Sequence, residues 1–447
     1  GVFYRNGPEP LYPTREGDYH WFDGDGMVYA FHIADGRASM LNRWVRTEKF
    51  ELEKAAGKRL FGLFGNPMTA DPSVAGKRYN TANTNIIVHG GKLLALMEGA
   101  PAVELDPRTL ETRGEEHYGG TITTTFSAHP KVDHHSGEMV NIGMAINGPM
   151  GPPQLRYDVI AVDGSVRKAE VIDMPHNALM HTFFLTENWV VFPVIPIDAD
   201  LGRFMKGGPM TAWVNDRPTK FAIMPREGSA SDIRWFDYEP RHMFHELNVW
   251  EQDGKIIADV AAANGTALFP DETGARRTHG DTQQSLRRWT IDPRTNGSGT
   301  WIREEKLNDR DIQFPRPDDR FMTRASRHSF ANINLNSRDG RAEGMDAVLR
   351  FDTVSGHEDV YHFGNGASCG ELVFAPKIGA AGEGDGYAMT LVHRAGAATS
   401  ELAIFDALDI AAGPVATIHV PFRVPSGFHC NFYAADSRLY RQAFGHA

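Results

Sequence analysis

Short apolar and β-branched segments, separated by turn residues, run along the whole chain. Clear examples are residues 85–97, interrupted by two glycines, residues 189–193 and residues 255–260. Segments of this length and composition, bounded by glycine, asparagine and aspartate, are typical of antiparallel β-strands. Helical periodicity is weak and is limited to residues 50–61 and a short turn near residues 407–411. The pattern therefore predicts an all-β protein built from many short strands.

The strand and turn segments return at intervals of roughly 45 to 60 residues, a period that suits four-stranded propeller blades better than a two-sheet sandwich. The repeat is loose and carries no WD or kelch signature. No linker-like or low-complexity run divides the sequence, so we expect one domain over residues 1–447. The sequence starts without Met inside a predicted strand, and we expect an N-terminal segment to precede it.

Composition narrows the class of partner. The formal charge of −11, without a basic block, argues against a phosphate-binding surface and therefore against nucleic acid. Two cysteines, Cys369 and Cys430, are too few for a disulfide framework. The sequence has no apolar run of about 18 residues and no signal-peptide pattern. We therefore expect a cytoplasmic protein that acts on a small molecule, without stable insertion into a membrane.

Four of the 19 histidines stand out because apolar or β-branched residues surround them, as inside a buried strand. They are His129, His181, His245 and His429. A buried imidazole needs partners for its nitrogens. The spacings of 52, 64 and 184 residues correspond to about one, one and three blades. The four rings could therefore come from the inner strands of different blades and meet at the propeller axis.

Four neutral imidazoles suit a borderline divalent metal, and an octahedral ion held by four ligands keeps two positions open for oxygen chemistry. Zinc, in contrast, is usually satisfied by four ligands. A buried metal charge also predicts carboxylates that accept the other ring N–H groups. Glu98 and Glu371 are acidic residues embedded in apolar strands and are the candidates. The alternative, four core histidines without a metal, stays open at this point.

Several short motifs follow one another along nearly the whole chain. They are YRNGPEP (4–10), HWFDGDGM (20–27), ANTN (82–85), SAHPK (127–131), GELVFAP (370–376) and GFH (427–429), with the pairs Met180–His181 and Phe244–His245 and, after the second pair, Asn248. With these motifs the sequence resembles the carotenoid cleavage oxygenases. Within that family it is most similar to the branch that includes lignostilbene dioxygenases and isoeugenol-cleaving oxygenases.

The resemblance implies a seven-bladed β-propeller with one Fe(II) per chain on its axis, under a dome of loops and short helices. It assigns the catalytic iron to four ligands, which are His129, His181, His245 and His429. It also implies that Glu98 and Glu371 accept hydrogen bonds from the ligands, and that Thr84 lies beside the open face of the iron. An apolar tunnel would bring a conjugated substrate to the metal, where it reacts with O2.

Two departures from the family pattern concern this chain's own chemistry. Many members have a third carboxylate behind the ligands, where Ser329 or a neighbour stands here. Stilbene-cleaving members place a Tyr and a Lys on the phenol of the substrate, and the matching positions here are Phe64 and Met97. Both can pack against a π-system, but neither can polarise a phenol. Phe22 matches the residue that stacks on the substrate, so we expect an unusually apolar pocket.

The function expected from these residues is cleavage of a conjugated C=C bond of an apolar aryl alkene, or of an apocarotenoid, into two carbonyl products. The alternatives are an alkene isomerase or isomerohydrolase on the same iron site, and a metal-free propeller that serves as a binding scaffold. A calcium-dependent hydrolase is disfavoured because calcium prefers oxygen ligands. Residues 61–68 or 204–213 could contact a membrane peripherally, although ordinary loop packing is the simpler interpretation. The sequence leaves the oligomeric state open.

Overall fold

The computed structural model describes residues 1–13, 20–295, 301–335 and 344–445. In these residues seven sheets of four or five antiparallel strands follow one another along the chain, and each sheet forms one blade of a β-propeller. The all-β class and the seven-bladed propeller predicted from the sequence are thereby confirmed. That residues 1–447 form one domain stays a prediction.

Blade 1 joins the first strands of the sequence to the last one. Its strands are β1 (Val2–Pro8), β2 (Gly26–Ala34), β3 (Arg37–Trp44) and, from the other end of the chain, β31 (Cys430–Tyr433). β1 lies between β2 and β31, and its register pairs Val2 with Tyr433 and Arg5 with Cys430. Backbone hydrogen bonds between the two chain ends therefore close the ring of blades.

The other six blades are each formed by consecutive parts of the chain. Blade 2 comprises β4 (Asn85–His89), β5 (Lys92–Leu96), β6 (Val103–Leu105) and β7 (Thr112–Glu115). Blade 3 comprises β8 (Lys131–Val132), β9 (Met139–Gly143), β10 (Gln154–Ile160) and β11 (Val166–Asp173). Blade 4 comprises β12 (Phe184–Leu185), β13 (Trp189–Val194), β16 (Thr219–Pro225) and β17 (Arg234–Tyr238), and a separate hairpin is formed by β14 (Ile197–Ala199) and β15 (Thr211–Trp213).

The second half of the ring follows the same arrangement. Blade 5 comprises β18 (His242–Gln252), β19 (Lys255–Ala263), β20 (Ser285–Ile291) and β21 (Ile302–Lys306). Blade 6 comprises β22 (Ile312–Arg316), β23 (His328–Ile333), β24 (Ala347–Asp352) and β25 (Glu358–His362). Blade 7 comprises β26 (Ala367–Cys369), β27 (Val373–Pro376), β28 (Gly386–Arg394), β29 (Ser400–Asp406) and β30 (Ala416–Val420).

The hydrophobic core is divided among the interfaces between neighbouring blades. Each interface holds one apolar cluster. Between blades 4 and 5, for example, the rings of Phe221 and Trp289 lie 5.5 Å apart, edge to face. Because neighbouring blades cover both faces of a sheet, an inner strand such as β19 is buried at nearly every residue and does not alternate. The outer strand β11 does alternate between half-buried and exposed positions.

Helices are short and lie between the strands. They are α1 (Glu48–Ala56), α2 (Leu201–Met205), α3 (His279–Thr282) and α4 (Arg438–Phe444). The helix predicted over residues 50–61 starts earlier and ends at Ala56, because Thr47 caps its first turn and Gly57 adopts a left-handed φ of 68° that ends it. The turn predicted near residues 407–411 is a 3₁₀ helix at Ile410–Ala412. No helix in the described ranges is long and apolar enough to cross a membrane.

Loops from several blades meet over the interface between blades 4 and 5. Phe22 and Phe64, from the loops between β1 and β4, pack against the apolar cluster of that interface. Phe269, which follows β19, and Trp213 of β15 belong to the same cluster. These loops bring aromatic residues that are distant in sequence together at this interface.

Candidate metal centre

The four candidate histidines lie in, or just before, a strand at one edge of each of four blades. His129 precedes β8, His181 precedes β12, His245 lies in β18 and His429 directly precedes β31. These strands open blades 3, 4 and 5 and complete blade 1, so the steps are one, one and three blades, as the spacing predicts. The prediction that all four lie inside strands is wrong for three of them. These three residues lie one to three positions before the first residue of their strand.

The four imidazoles converge. One ligand nitrogen from each ring can be chosen so that all four atoms lie within 4.8 Å of one another. The ring centroid of His129 lies 4.3 Å from that of His181 and 4.2 Å from that of His429, and those of His181 and His245 are 5.0 Å apart. The structure thus brings together the four residues that the sequence singled out. Their role as metal ligands stays a prediction.

The nitrogens at the centre of this group fit a metal. His129 Nε2 is buried and has no hydrogen-bond partner within the described residues, and His181 Nε2 lies 3.2 Å from His245 Nε2. A buried polar atom without a partner costs about 1–3 kcal/mol, which a bound ion would remove. Burial, reinforced by the neighbouring imidazoles, holds the pKa of His129 and of His245 well below the ordinary value. Neutral rings can donate their nitrogen lone pairs to a metal.

Two carboxylates fix the orientation of two of the rings. His181 Nδ1 donates to Glu98 Oε1, and His429 Nδ1 donates to Glu371 Oε1 over 3.1 Å. A ring that carries its proton on Nδ1 presents the Nε2 lone pair to the centre. Both glutamates lie in connecting segments, Glu98 after β5 and Glu371 between β26 and β27, so the prediction that they are embedded in strands is wrong. A connecting segment can turn a carboxylate inward, which the alternation of a strand restricts.

Both carboxylates are set up to carry a negative charge. Burial would raise the pKa of Glu98, but the hydrogen bond from His181 and the electrostatic interaction with that ring outweigh it and hold the pKa below the ordinary value. For Glu371 burial is outweighed by the positive charge of Arg316 and by the interaction and hydrogen bond with His429, and its pKa is also lowered. Glu371 Oε2 further accepts the backbone N–H of Cys430 over 2.6 Å. Two negative charges of this kind balance a buried divalent ion.

No third carboxylate stands behind the histidines among the residues that the structure describes. His245 Nδ1 and Ser329 Oγ are both buried, and neither has a hydrogen-bond partner in the part of the chain that the structure describes. Glu246 follows His245 directly but accepts from Lys131 and Thr182 instead. His245 is therefore the only one of the three rings His181, His245 and His429 whose Nδ1 has no carboxylate among the described residues.

A cavity of about 590 Å³ reaches the histidine group. His129, His245 and Glu371 line it, together with Lys131 and Arg316. The Arg316 guanidinium donates to Asp319 over 2.8 Å and to Glu371 over 3.3 Å. Sequence reasoning did not assign Lys131 or Arg316 a role. Arg316 is the last residue of β22 and lies between Pro315 and Pro317. This sequence context does not indicate a functional site.

The predicted substrate residues Phe22 and Phe64 do lie together. Their rings are 5.2 Å apart, edge to face. The ring of Phe22 is also 5.7 Å from that of Phe428, which directly precedes the histidine His429. This row of rings therefore begins next to the candidate metal centre and leads away from it into the loops.

Thr84 lies beside a candidate metal ligand, and Met97 lies beside one of the two carboxylates. The carbonyl oxygen of Thr84 accepts the backbone N–H of His429 over 3.2 Å, which agrees with a position beside the candidate ligands. Met97 Sδ accepts from Thr81 Oγ1 over 3.7 Å, and Met97 directly precedes Glu98. The substrate-contacting roles of Phe22, Phe64 and Met97 stay predictions.

A ring of seven blades in which four imidazoles from four different blades converge defines a β-propeller with a histidine group that could hold a metal. The family described as retinal pigment epithelial membrane protein matches residues 1–434, and the chain belongs to this family, that of the carotenoid cleavage oxygenases. The family predicted from the sequence motifs is thereby confirmed.

Similar proteins fall in the predicted branch of the family. The chain is 35% identical to isoeugenol monooxygenase of Pseudomonas nitroreducens, over 96% of this chain and 91% of that one. It is 34% identical to lignostilbene-alpha,beta-dioxygenase isozyme III of Sphingomonas paucimobilis, over 98% of this chain and 91% of that one. The crystal structure of Pseudomonas brassicacearum lignostilbene dioxygenase superposes with a TM-score of 0.89 at 35% identity, over 96% of this chain and 91% of that one.

Proposed function

We propose that this protein is an oxygenase that holds one Fe(II) per chain and uses O2 to cleave a conjugated C=C bond into two carbonyl products. The substrate is an apolar aryl alkene, with an apocarotenoid polyene as the second substrate class. The observation that carries the proposal is the convergence of four imidazoles, His129, His181, His245 and His429, at the centre of the propeller. Relatives named isoeugenol monooxygenase and lignostilbene dioxygenase support the reaction class.

The overall reaction balances without a further reductant. Both bonds between the two alkene carbons break, and each carbon forms a double bond to one oxygen atom of O2. The four electrons of the alkene bond reduce O2 to the level of two carbonyl oxygens. The protein therefore needs a site for O2 and a site for the alkene, and no second redox cofactor.

The donor set fits ferrous iron. Four neutral imidazoles are ligands that iron(II) accepts, and a ferrous ion bound there would supply O2 activation at the positions that four nitrogens leave open. Glu98 and Glu371 keep the protons of His181 and His429 on Nδ1, so the Nε2 atoms stay available as ligands. Arg316 holds Glu371 in place and keeps it charged.

The aromatic residues position the alkene and exclude water. Phe22, Phe64 and Phe428 present ring faces and edges, against which a conjugated substrate can stack. Stacking fixes the plane of the substrate, so its double bond can be held in one orientation relative to the histidine group. The same rings offer no hydrogen bonds to water, which keeps the reacting part of the site dry.

The proposed location is the cytoplasm, with at most peripheral contact to a membrane. Cys369 and Cys430 are buried free thiols. Burial raises the pKa of Cys369 to about 12, so this thiol stays protonated and is neither a nucleophile nor a metal ligand at neutral pH. Reducing conditions would preserve both thiols and keep the bound iron ferrous.

Iron content and product formation test the proposal. Protein purified without oxygen should contain about one iron per chain and should release aldehydes from resveratrol, isoeugenol or stilbene with consumption of O2. His429→Ala should lose the iron. His393→Ala is the matched control, because His393 is also a buried histidine but bonds to Ser400 in blade 7, and it should keep the iron.

Each of the alternatives has its own outcome. Absence of iron after reconstitution would contradict the proposal and favour a binding scaffold. Isomerised alkene without O2 consumption would favour an isomerase.

A further inference from the structure

A cavity joins the group of four histidines to the surface of the propeller, and no step of the proposed reaction uses it. His129, His245 and Glu371 line the cavity, and so do Gly379 and Asp436, which are exposed. A space bounded by both sets of residues extends from the histidines to the solvent. Its volume of about 590 Å³ is many times the roughly 30 Å³ that one water molecule occupies in the liquid, so it has room for a hydrated ion.

The cavity and the row of phenylalanine rings that contains Phe22 lie on opposite sides of the histidines. Phe244 and Phe428 directly precede His245 and His429 in the sequence. Phe428 contacts Phe22, and Phe244 belongs to the apolar cluster against which Phe22 packs. Other residues follow the histidines by one or two positions and line the cavity instead, and they are Lys131, Glu246 and Asn431. The chain therefore passes from the row of rings, through the histidines, into the wall of the cavity.

The wall of the cavity suits a cation better than the row of rings does. The described residues that line it include five acidic and five basic side chains, which are Glu246, Asp318, Asp319, Glu371 and Asp436, and Lys131, Arg316, Arg320, Lys377 and Arg438. Asp319 Oδ1 has no hydrogen-bond partner in the described part of the chain, while Asp319 Oδ2 accepts from Arg316 over 2.8 Å. Carboxylate oxygens can replace the water ligands of a hydrated ion, whereas hydrocarbon rings make its desolvation costly.

We propose that ferrous iron enters the histidine group through this cavity, from the side opposite to the row of rings that holds the alkene. The inference rests on the proposed function, because it takes the four histidines as the metal site. It gives the two sides of the histidine group different tasks. The aromatic side admits the alkene, and the side with the charged residues admits the ion.

A removable plug in the cavity tests this route on the folded protein. Ala434 lines the cavity five residues after His429, roughly 16 Å away along an extended chain. In Ala434→Cys the new thiol is labelled through a disulfide, with either a methyl or a bulky aromatic thiosulfonate. Ala435→Cys is the matched control, because Ala435 is exposed and does not line the cavity. The native Cys369 and Cys430 are buried, and burial raises the pKa of both thiols, so they stay unlabelled.

Uptake of Co(II) by the labelled apoprotein is followed by visible absorption, and release is followed after excess chelator is added. We expect the bulky label at position 434 to slow uptake and release by the same factor, about 10-fold or more. The equilibrium affinity should not change, because the plug raises the barrier equally in both directions. Reduction of the disulfide should restore both rates. The methyl label at position 434, and either label at position 435, should leave both rates as in the unlabelled protein.

The proposal is overturned if the bulky label at position 434 leaves the uptake rate unchanged, if it changes the affinity, or if position 434 does not react with the reagents. Ala380→Cys places the label on another part of the wall, and it decides the outcome if Ala434→Cys is not folded. Metal uptake through the cavity by a protein that cleaves no alkene would refute the proposed reaction but not this inference. Alkene cleavage by a protein whose metal uptake is insensitive to the label would refute the inference alone.

Discussion

Replacing Glu98 by Gln tests whether the carboxylates behind the histidines act through a metal. Glu98 accepts a hydrogen bond from His181 Nδ1, and its side chain is 16% exposed. Gln has the same shape and keeps an acceptor oxygen, so the variant removes a negative charge and little else. Carboxylates that orient metal-binding histidines typically contribute 10-fold to 100-fold to metal affinity. We therefore expect Glu98→Gln to weaken metal binding by a factor in this range, or about 1.4–2.8 kcal/mol.

Competition with a chelator of known affinity measures this effect directly. The apoprotein is titrated with Fe(II) without oxygen, or with Co(II) as a spectroscopic probe, in the presence of the chelator. Glu104→Gln is the matched control, because Glu104 lies in the same blade and pairs with Arg113 at the surface. The control should bind metal as the wild type does. If Glu98→Gln binds metal as tightly as Glu104→Gln does, Glu98 does not support a metal ligand and the assigned site is wrong.

Three further predictions follow from individual contacts. His245, whose Nδ1 has no partner in the part of the chain that the structure describes, should contribute less to metal affinity than His181, so His245→Ala should lose less affinity than His181→Ala in the same titration. Burial opposes ionisation of Glu304, but arginine and tryptophan donors lower its pKa to about 2. The ionised Glu304 side chain therefore stabilises the folded protein above about pH 4.5, and this contribution is lost as the pH falls toward 2. Urea unfolding should show that Glu304→Gln lowers the free energy of unfolding by about 1–3 kcal/mol at pH 7 but not near pH 2. Phe64→Tyr with Met97→Lys should introduce or increase cleavage of 4-hydroxystilbene, measured as aldehyde release, because the pair adds donors for a phenol.

The fold and the four histidines could be predicted because each leaves a signal in the sequence. Strand and turn segments repeat at the length of a blade, and polar rings among apolar residues stand out at spacings of whole blades. The predicted steps of one, one and three blades match blades 3, 4, 5 and 1. Short motifs gave the family, which the similarity to known oxygenases confirms.

Other features left no comparable signal. Three histidines and both glutamates lie just outside strands, because the ends of strands look like strands in a pattern of apolar residues. Arg316 of blade 6 reaches Glu371 of blade 7 across 55 positions of sequence, and only the packing of these two blades side by side brings them together.

The most direct test of the central claim is the ratio of aldehyde formed to O2 consumed. Iron-loaded protein is mixed with 4-methoxystilbene in a sealed cell, and O2 and both aldehydes are measured together. The proposed reaction predicts equal amounts of benzaldehyde and 4-methoxybenzaldehyde, with two aldehyde molecules for each O2, and no product without iron. Fully iron-loaded protein that forms no aldehyde from this alkene, from isoeugenol or from an apocarotenal would contradict the account.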